Sequence, residues 1–184
     1  MLQNAMKQIL RVLTALCGAA LCGCQPTASE SFRQHYERAQ SEYEAGQRSA
    51  AIAEYREALR SKPDSADAHT KLGAVLYEVG EADAAIQEYR RALRLDPDFA
   101  EAHNDLGVAL LARGEIAAAA GEYRQAVASR PQFAEAQYNL CLALELLEQI
   151  DDALTHCQIA SQQDPGRPGV SAAVERLQYK RAAR

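Results

Sequence analysis

The sequence predicts an all-α fold, an α-solenoid of four helical hairpins closed by a C-terminal capping helix. Three observations carry this prediction. The stretch 66–99 lands on recognisably similar sequence when slid by its own length of 34 residues in either direction. Two ladders run without a missing rung: Pro63, Pro97, Pro131 and Pro165, and, twelve positions before each, Ala51, Ala85, Ala119 and Ala153. Within one unit, Leu72, Val75, Leu76 and Val79 recur at three- and four-residue steps, as do Ala85, Ile86, Tyr89, Ala92 and Leu93, the spacing of an amphipathic helix. Self-similarity at a fixed period marks a unit that cannot bury its apolar face alone and must stack on its neighbours.

Four repeats result, 32–65, 66–99, 100–133 and 134–167. Gly46, Gly80 and Gly114 stand where a first helix must end and the chain must turn, and each ladder proline, lacking a backbone N–H, closes a second helix. Leu72, Gly73, Gly80, Ala85, Tyr89, Ala92 and Pro97 in the second repeat, and Leu106, Gly107, Gly114, Ala119, Tyr123, Ala126 and Pro131 in the third, match a known signature. The pattern resembles the tetratricopeptide repeat over residues 32–167. His35, His69, His103 and Gln137 stand where that family often has Trp. The fourth repeat departs further, with Cys141 for a glycine, Glu148 for the turn glycine and Cys157 for the aromatic.

Ahead of the repeats, residues 1–23 read as a secretory signal peptide: Lys7 and Arg11, an apolar run from Val12 to Leu21, then Leu21-Cys22-Gly23-Cys24. The run is about half the ~20 residues of a spanning helix. Leu21, Gly23 and Cys24 resemble the lipobox of bacterial lipoproteins, which implies lipidation of Cys24 and a stable membrane anchor; Cys22 departs from the usual Ala, Ser or Thr. The alternative is an ordinary signal peptide cut near Ala20, with Cys24 a plain thiol. Gln25 after the cysteine, by resemblance to enterobacterial sorting, favours the outer membrane over the inner. Residues 24–31 form a short polar tether.

In the first repeat, Arg38 and Glu42 replace leucine-type residues, which suits a terminal unit with one unpartnered face. In the C-terminal capping segment 168–184, Pro168 and Gly169 break the chain before a helix over residues 170–183, where Val170, Ala173, Val174 and Leu177 are spaced to cover the last hairpin. Lys180, Arg181 and Arg184 suit its C-terminus.

The family resemblance implies that positions 2, 5, 6, 9, 12 and 13 of each repeat line a concave groove. Mapped here, the groove contains Tyr36 and Tyr43 from the first repeat, and Thr70, Lys71 and Tyr77 from the second. The third gives Asn104, Asp105, Val108 and Leu111, and the fourth Tyr138, Asn139, Leu142 and Leu146. The groove reads as acidic, with tyrosines and a leucine-rich end. It lacks the Lys and Asn set by which some family members clamp a C-terminal carboxylate. The implied ligand is an extended peptide or helix bearing basic and apolar residues, anchored on Tyr77, Tyr138, Val108, Leu111, Leu142 and Leu146. The competing reading has the acids as a solvated face and the leucines packed against the C-terminal helix.

Cys141 and Cys157 fall opposite one another in a hairpin turning near 149, so a disulfide is one reading and a pair of small buried thiols the other. The histidines of successive repeats are too far apart to share a metal ion, and the expectation is no metal and no cofactor. No Ser-His-Asp arrangement, paired-carboxylate site or phosphate loop stands out, so no enzyme and no small-molecule substrate are expected. The formal net charge is −5 before the basic leader is lost, which argues against nucleic acid. The expected function is a periplasm-facing, lipid-anchored protein-binding scaffold or assembly factor for an envelope complex. Tetratricopeptide lipoproteins include pilotins for type IV pilus secretins, commonly with six repeats, and adaptors for cell-wall hydrolases. A pilotin-like factor and a substrate-recruiting accessory subunit of a cell-envelope enzyme are therefore the alternatives.

Overall fold

Residues 27–183 are described by the structure, a computed structural model. The leader 1–23, the lipidation candidate Cys24 and the first tether residues lie outside the described residues. Helices alone build the rest: α1 (Ala28–Glu44), α2 (Arg48–Ser61), α3 (Ala66–Glu78), α4 (Ala82–Leu95), α5 (Ala100–Ala112), α6 (Ile116–Ser129), α7 (Ala134–Leu146), α8 (Ile150–Gln163) and α9 (Val170–Ala182). The fold is all-α, as the periodicity requires. Among the described residues no helix is long and apolar enough to cross a membrane.

Each boundary follows from local chemistry. Thr27 and Glu30 form a reciprocal capping box at the start of α1, and Ser65 caps α3 by accepting from the Ala68 amide. At the second hairpin turn Gly80 takes φ 86°, its N–H donates to Tyr77 O, and the Glu81 N–H donates to Leu76 O. The same pair of bonds closes the turns at Gly46, Gly114 and Glu148, a Schellman closure that leaves its central residue left-handed. Glu148 holds that conformation at φ 59° without being glycine, at a cost of about 1 kcal/mol. Before the ladder prolines, Lys62, Asp96, Arg130 and Asp164 all leave the helix with φ between −143° and −136°, the extended backbone a following proline imposes.

Small residues set the helix spacing. Ala51, Ala85, Ala119 and Ala153, and likewise Ala58, Ala92, Ala126 and Ala160, are fully buried. In repeats 2 and 3 the tyrosine ring of the second helix lies directly on a glycine of the first: a Cβ on Gly73 would sit 2.7 Å from Tyr89 Cε1, and one on Gly107 would sit 2.6 Å from Tyr123 Cε1. Each hairpin then packs its second helix on the first helix of the next. The C-terminal helix α9 buries Val170, Ala173 and Leu177 against α8 and also touches α7, so it stands where a fifth first helix would.

The histidine ladder has a definite task. His35, His69 and His103 each place Nδ1 2.7 Å from a carboxylate nineteen residues on, in Glu54, Glu88 and Glu122. The Nε2 atoms of His69 and His103 reach back to the carbonyls of Pro63 and Pro97. A carbonyl only accepts, so Nε2 donates to it, and the Nδ1 contact requires its own proton between the ring and the carboxylate. Repeat 4 inverts the pair: Gln137 Nε2 donates to Pro131 O, and its Oε1 accepts from His156 Nδ1 at 2.7 Å. One polar side chain thus ties both helices of a repeat to the preceding proline loop, and the Trp it replaces is not needed there. Among the described residues no three His, Cys, Asp or Glu side chains converge as metal ligands.

His69→Gln alone should cost about 1–3 kcal/mol, because the amide oxygen then faces the Glu88 carboxylate. The double variant His69→Gln, Glu88→His rebuilds the repeat-4 arrangement and should return to within about 1 kcal/mol of the parent. Urea unfolding of the four members of this cycle measures the coupling; purely additive losses would contradict the assignment.

Candidate peptide-binding groove

The first helices α1, α3, α5 and α7 lie side by side and bring their matching positions together. Bonds at two fixed separations record the register. Tyr36 donates to Asp67 and Tyr43 to Glu78, 31 and 35 residues on, and Asn139 Nδ2 donates to Asn104 Oδ1 at 2.9 Å, again 35 apart. Glu145 receives Arg176 at 31 residues and Lys180 at 35, with distances of 2.6–2.8 Å. The C-terminal helix therefore continues the same face.

Asp67, Thr70, Lys71, Ala74, Glu101, Asn104, Asp105 and Glu135, with Phe99 and Phe133, enclose a cavity of about 260 Å³. A second hollow of about 130 Å³ adjoins it, lined by Ala74, Tyr77, Glu78, Tyr89, Asp105 and Val108. Asp105 belongs to both. A larger open cavity of about 350 Å³ is walled by Pro63, His69, Arg91, Arg94 and Leu95; it contains none of the groove residues.

The predicted residues divide into several groups. Tyr36 and Tyr43 are already engaged, by Asp67 and Glu78, and Arg48 lies 4.3 Å over the Tyr43 ring. Burial and the Asp67 bond raise the Tyr36 hydroxyl's pKa well above the phenol range. Thr70 is buried and donates to Ala66 O, and Lys71 is exposed at the cavity rim. Tyr77, Val108 and Leu111 are half-buried against the core. Tyr138 lies beneath the Arg167 guanidinium and against Gly169 at the start of α9. Leu142 is half-buried, and Leu146 is 58% exposed. The leucine end is therefore not sealed by the C-terminal helix. Cys141 and Cys157 are both fully buried, with Cα atoms 5.3 Å apart.

The acidic character read from the sequence is tempered by cations from neighbouring elements. Four of the groove carboxylates are paired in this way: Glu78 with Arg48, Glu101 with Arg130 at 2.7 Å, Glu135 with Arg167 at 3.9 Å and Glu145 with Arg176 and Lys180. The Arg176 fork, assisted by Lys180, pushes Glu145 down to about 2 against the opposing effect of its own burial. Within the cavity Asp67 accepts from the Tyr36 hydroxyl, and two further acceptors are left with less. Glu101 Oε2 is buried and has no hydrogen-bond partner. Asp105 accepts from the neighbouring Asn104 amide at 3.3 Å and makes no ion pair among the described residues. Burial pushes its carboxyl up to about 6, with Glu135 and Glu101 adding to the rise and Asn104 and Lys71 opposing it.

Sequence reasoning missed Arg176, Tyr179 and Lys180 as groove residues. The signal was present, since adding one period of 34 to Leu142, Glu145 and Leu146 reaches them. Tyr179 is 78% exposed.

The sequence pattern of the Tetratricopeptide repeat family matches residues 36–98, 70–132 and 104–168. Among solved structures, pilF of Pseudomonas aeruginosa aligns with a TM-score of 0.76 at 24% identity, over 85% of this chain and 71% of that one. The MamA protein aligns with a TM-score of 0.74 at 23% identity, over 84% of each chain. YrrB, described as a TPR protein with an unusual peptide-binding site, aligns with a TM-score of 0.69 at 21% identity, over 82% of this chain and 77% of that one. No curated protein matches the sequence. At these identities the solved structures speak for the fold alone. The family pattern spans most of the chain, from α1 to the end of the fourth hairpin, and the protein belongs to the tetratricopeptide repeat family.

Proposed function

We propose that the protein is a non-catalytic protein-binding scaffold of a bacterial envelope, anchored at the outer membrane through a lipid on Cys24 and facing the periplasm. Its first-helix face takes an extended segment or helix with cationic and apolar side chains. Asp105 is the observation that carries the binding reading. A carboxyl desolvated in the middle of a groove, bonded only weakly by Asn104, costs stability. Such a cost is characteristic of a site completed by a ligand. A guanidinium or ammonium in the cavity would supply Asp105 and the free Glu101 oxygen with charged donors. Tyr77, Val108 and Leu111 would receive the apolar flanks.

The envelope placement rests on the leader, Lys7 and Arg11 followed by the apolar run and Leu21-Cys22-Gly23-Cys24. A pilotin-like role in secretin assembly and a recruiting role beside a cell-wall enzyme both fit within it. A pilus gene cluster or a hydrolase gene beside this one would separate them.

Three measurements test this reading. Cys24→Ser should move the protein from the membrane pellet to the soluble periplasmic fraction and abolish labelling by radioactive palmitate; retention in the pellet contradicts the anchor. Crosslinking in native membranes should capture a secretin or cell-wall enzyme that is lost from the Tyr77→Ala, Tyr138→Ala variant. Equal capture by both forms sinks the groove.

The third measurement uses pH. Unfolded Asp105 ionises near 4, whereas in the fold it stays protonated up to about 6. The native state therefore binds the extra proton, and this contribution to stability is lost as pH rises from about 4 through about 6. Asp105→Asn should raise unfolding free energy at about pH 7.5 by about 1–3 kcal/mol and leave it nearly unchanged at about pH 4. Wild-type affinity for fluorescein-labelled peptides of alternating Arg and Leu should increase between about pH 5 and 7, and that increase should vanish in Asp105→Asn. Peptide binding unaffected by the substitution would remove Asp105 from the site.

A further inference from the structure

Repeats 2 and 3 lock their two helices by laying a tyrosine ring on a glycine, Tyr89 on Gly73 and Tyr123 on Gly107. In repeat 4 the same two positions hold Cys141 and Cys157. Both partners of the lock changed together, and both replacements are cysteine. The two residues are fully buried, they sit sixteen residues apart on facing helices, their Cα atoms are 5.3 Å apart, and their sulfurs are joined in the structure. That Cα separation falls in the range a disulfide spans without backbone movement. Two reduced thiols would fill less space than a tyrosine ring, and a core position left short of volume is destabilised.

We propose that Cys141 and Cys157 form a native disulfide that takes over the Gly–Tyr lock in the last hairpin and holds the end of the groove in place. Cys141 lies on α7 between the groove residues Tyr138 and Leu142, and both cysteines share a core cluster with Ala173 and Leu177 of α9. Loosening the hairpin therefore disturbs the Tyr138 wall and the seat of the terminal helix together.

The chemistry is thiol–disulfide exchange with an external disulfide oxidant. The thiolate of one cysteine, having lost its proton, attacks a sulfur of that oxidant, breaks its S–S bond and expels one thiolate. The second cysteine's thiolate then attacks the mixed disulfide, forms the Sγ–Sγ bond and expels the other. The two cysteines together lose two protons and two electrons, and the oxidant is reduced to two thiols. Because both sulfurs are inaccessible in the closed hairpin, exchange occurs before α7 and α8 pack. The bond is a staple installed during folding.

The test uses the full chain extracted from its native membranes, and the same chain reduced, unfolded and refolded with oxidised glutathione. Denaturation in iodoacetamide without reductant, followed by peptide mass spectrometry, should give the 141 and 157 peptides linked and unalkylated in both samples. Two alkylated cysteines in both samples overturn the proposal. Linkage only after refolding with glutathione would still support the bond while counting against an oxidising compartment, so the two readings fail separately. Cys141→Ser, Cys157→Ser should melt roughly 5–10 °C below the oxidised parent. Cys141→Gly, Cys157→Tyr should recover most of that loss and be indifferent to reductant. A serine variant that melts with the oxidised parent overturns the staple, and a glycine–tyrosine variant no better than serine overturns its equivalence to the lock.

Discussion

Everything in this solenoid depends on how closely the two helices of a hairpin approach. Gly73 and Gly107 have no room for a Cβ because the Tyr89 and Tyr123 rings occupy that space, and the alanine ladders are buried to the last atom. A large ring on bare backbone replaces many small contacts with one well-filled one. It also fixes the rotation of each helix about its axis. Once that rotation is set, the first helix must turn the same residues toward its own partner and the same residues away in every repeat. The register of the exposed face, with its bonds at 31 and 35 residues, is a consequence of the lock beneath it.

The polar network follows the same rule of repetition with substitution. His69 with Glu88 and His103 with Glu122 use one arrangement, and Gln137 with His156 achieves the same connectivity with donor and acceptor exchanged. What persists is not a residue type but a requirement: the proline-loop carbonyl needs a donor, and the two helices need a bridge. A buried polar group left without its partner costs stability, so the positions must change in concert. The replacement of Gly and Tyr by Cys141 and Cys157 belongs to the same pattern.

The hairpins, their turns and the terminal helix were legible in the sequence because they rest on local rules: helical periodicity, a left-handed turn residue and proline geometry. Even Glu148, where the glycine is missing, keeps the turn, since the Schellman bonds and the packing on either side determine it. The charge of the groove was not legible. Arg130 reaches Glu101 and Arg176 reaches Glu145 across 29 and 31 residues, and no count of carboxylates at chosen positions shows which cations will swing in from the next element. The histidine pairs were missed for a different reason. Their partners lie nineteen residues on, in the other helix, and only comparing all four repeats at both positions reveals the exchange.

A solenoid must end, and how it ends shapes its binding face. The terminal helix α9 seals the core with Val170, Ala173 and Leu177, yet keeps the register of a first helix and therefore adds Arg176, Tyr179 and Lys180 to the row. The face that results is graded. Its middle carries Asp105 and the unpartnered oxygen of Glu101, and its end carries an exposed tyrosine beside two cations anchored on one carboxylate. Charges arranged in this order favour one direction for a charged segment laid along them, since reversing it would set like charges opposite each other. By continuing the repeat for half a unit, α9 carries the row of matching positions past the last hairpin and ends it in cations.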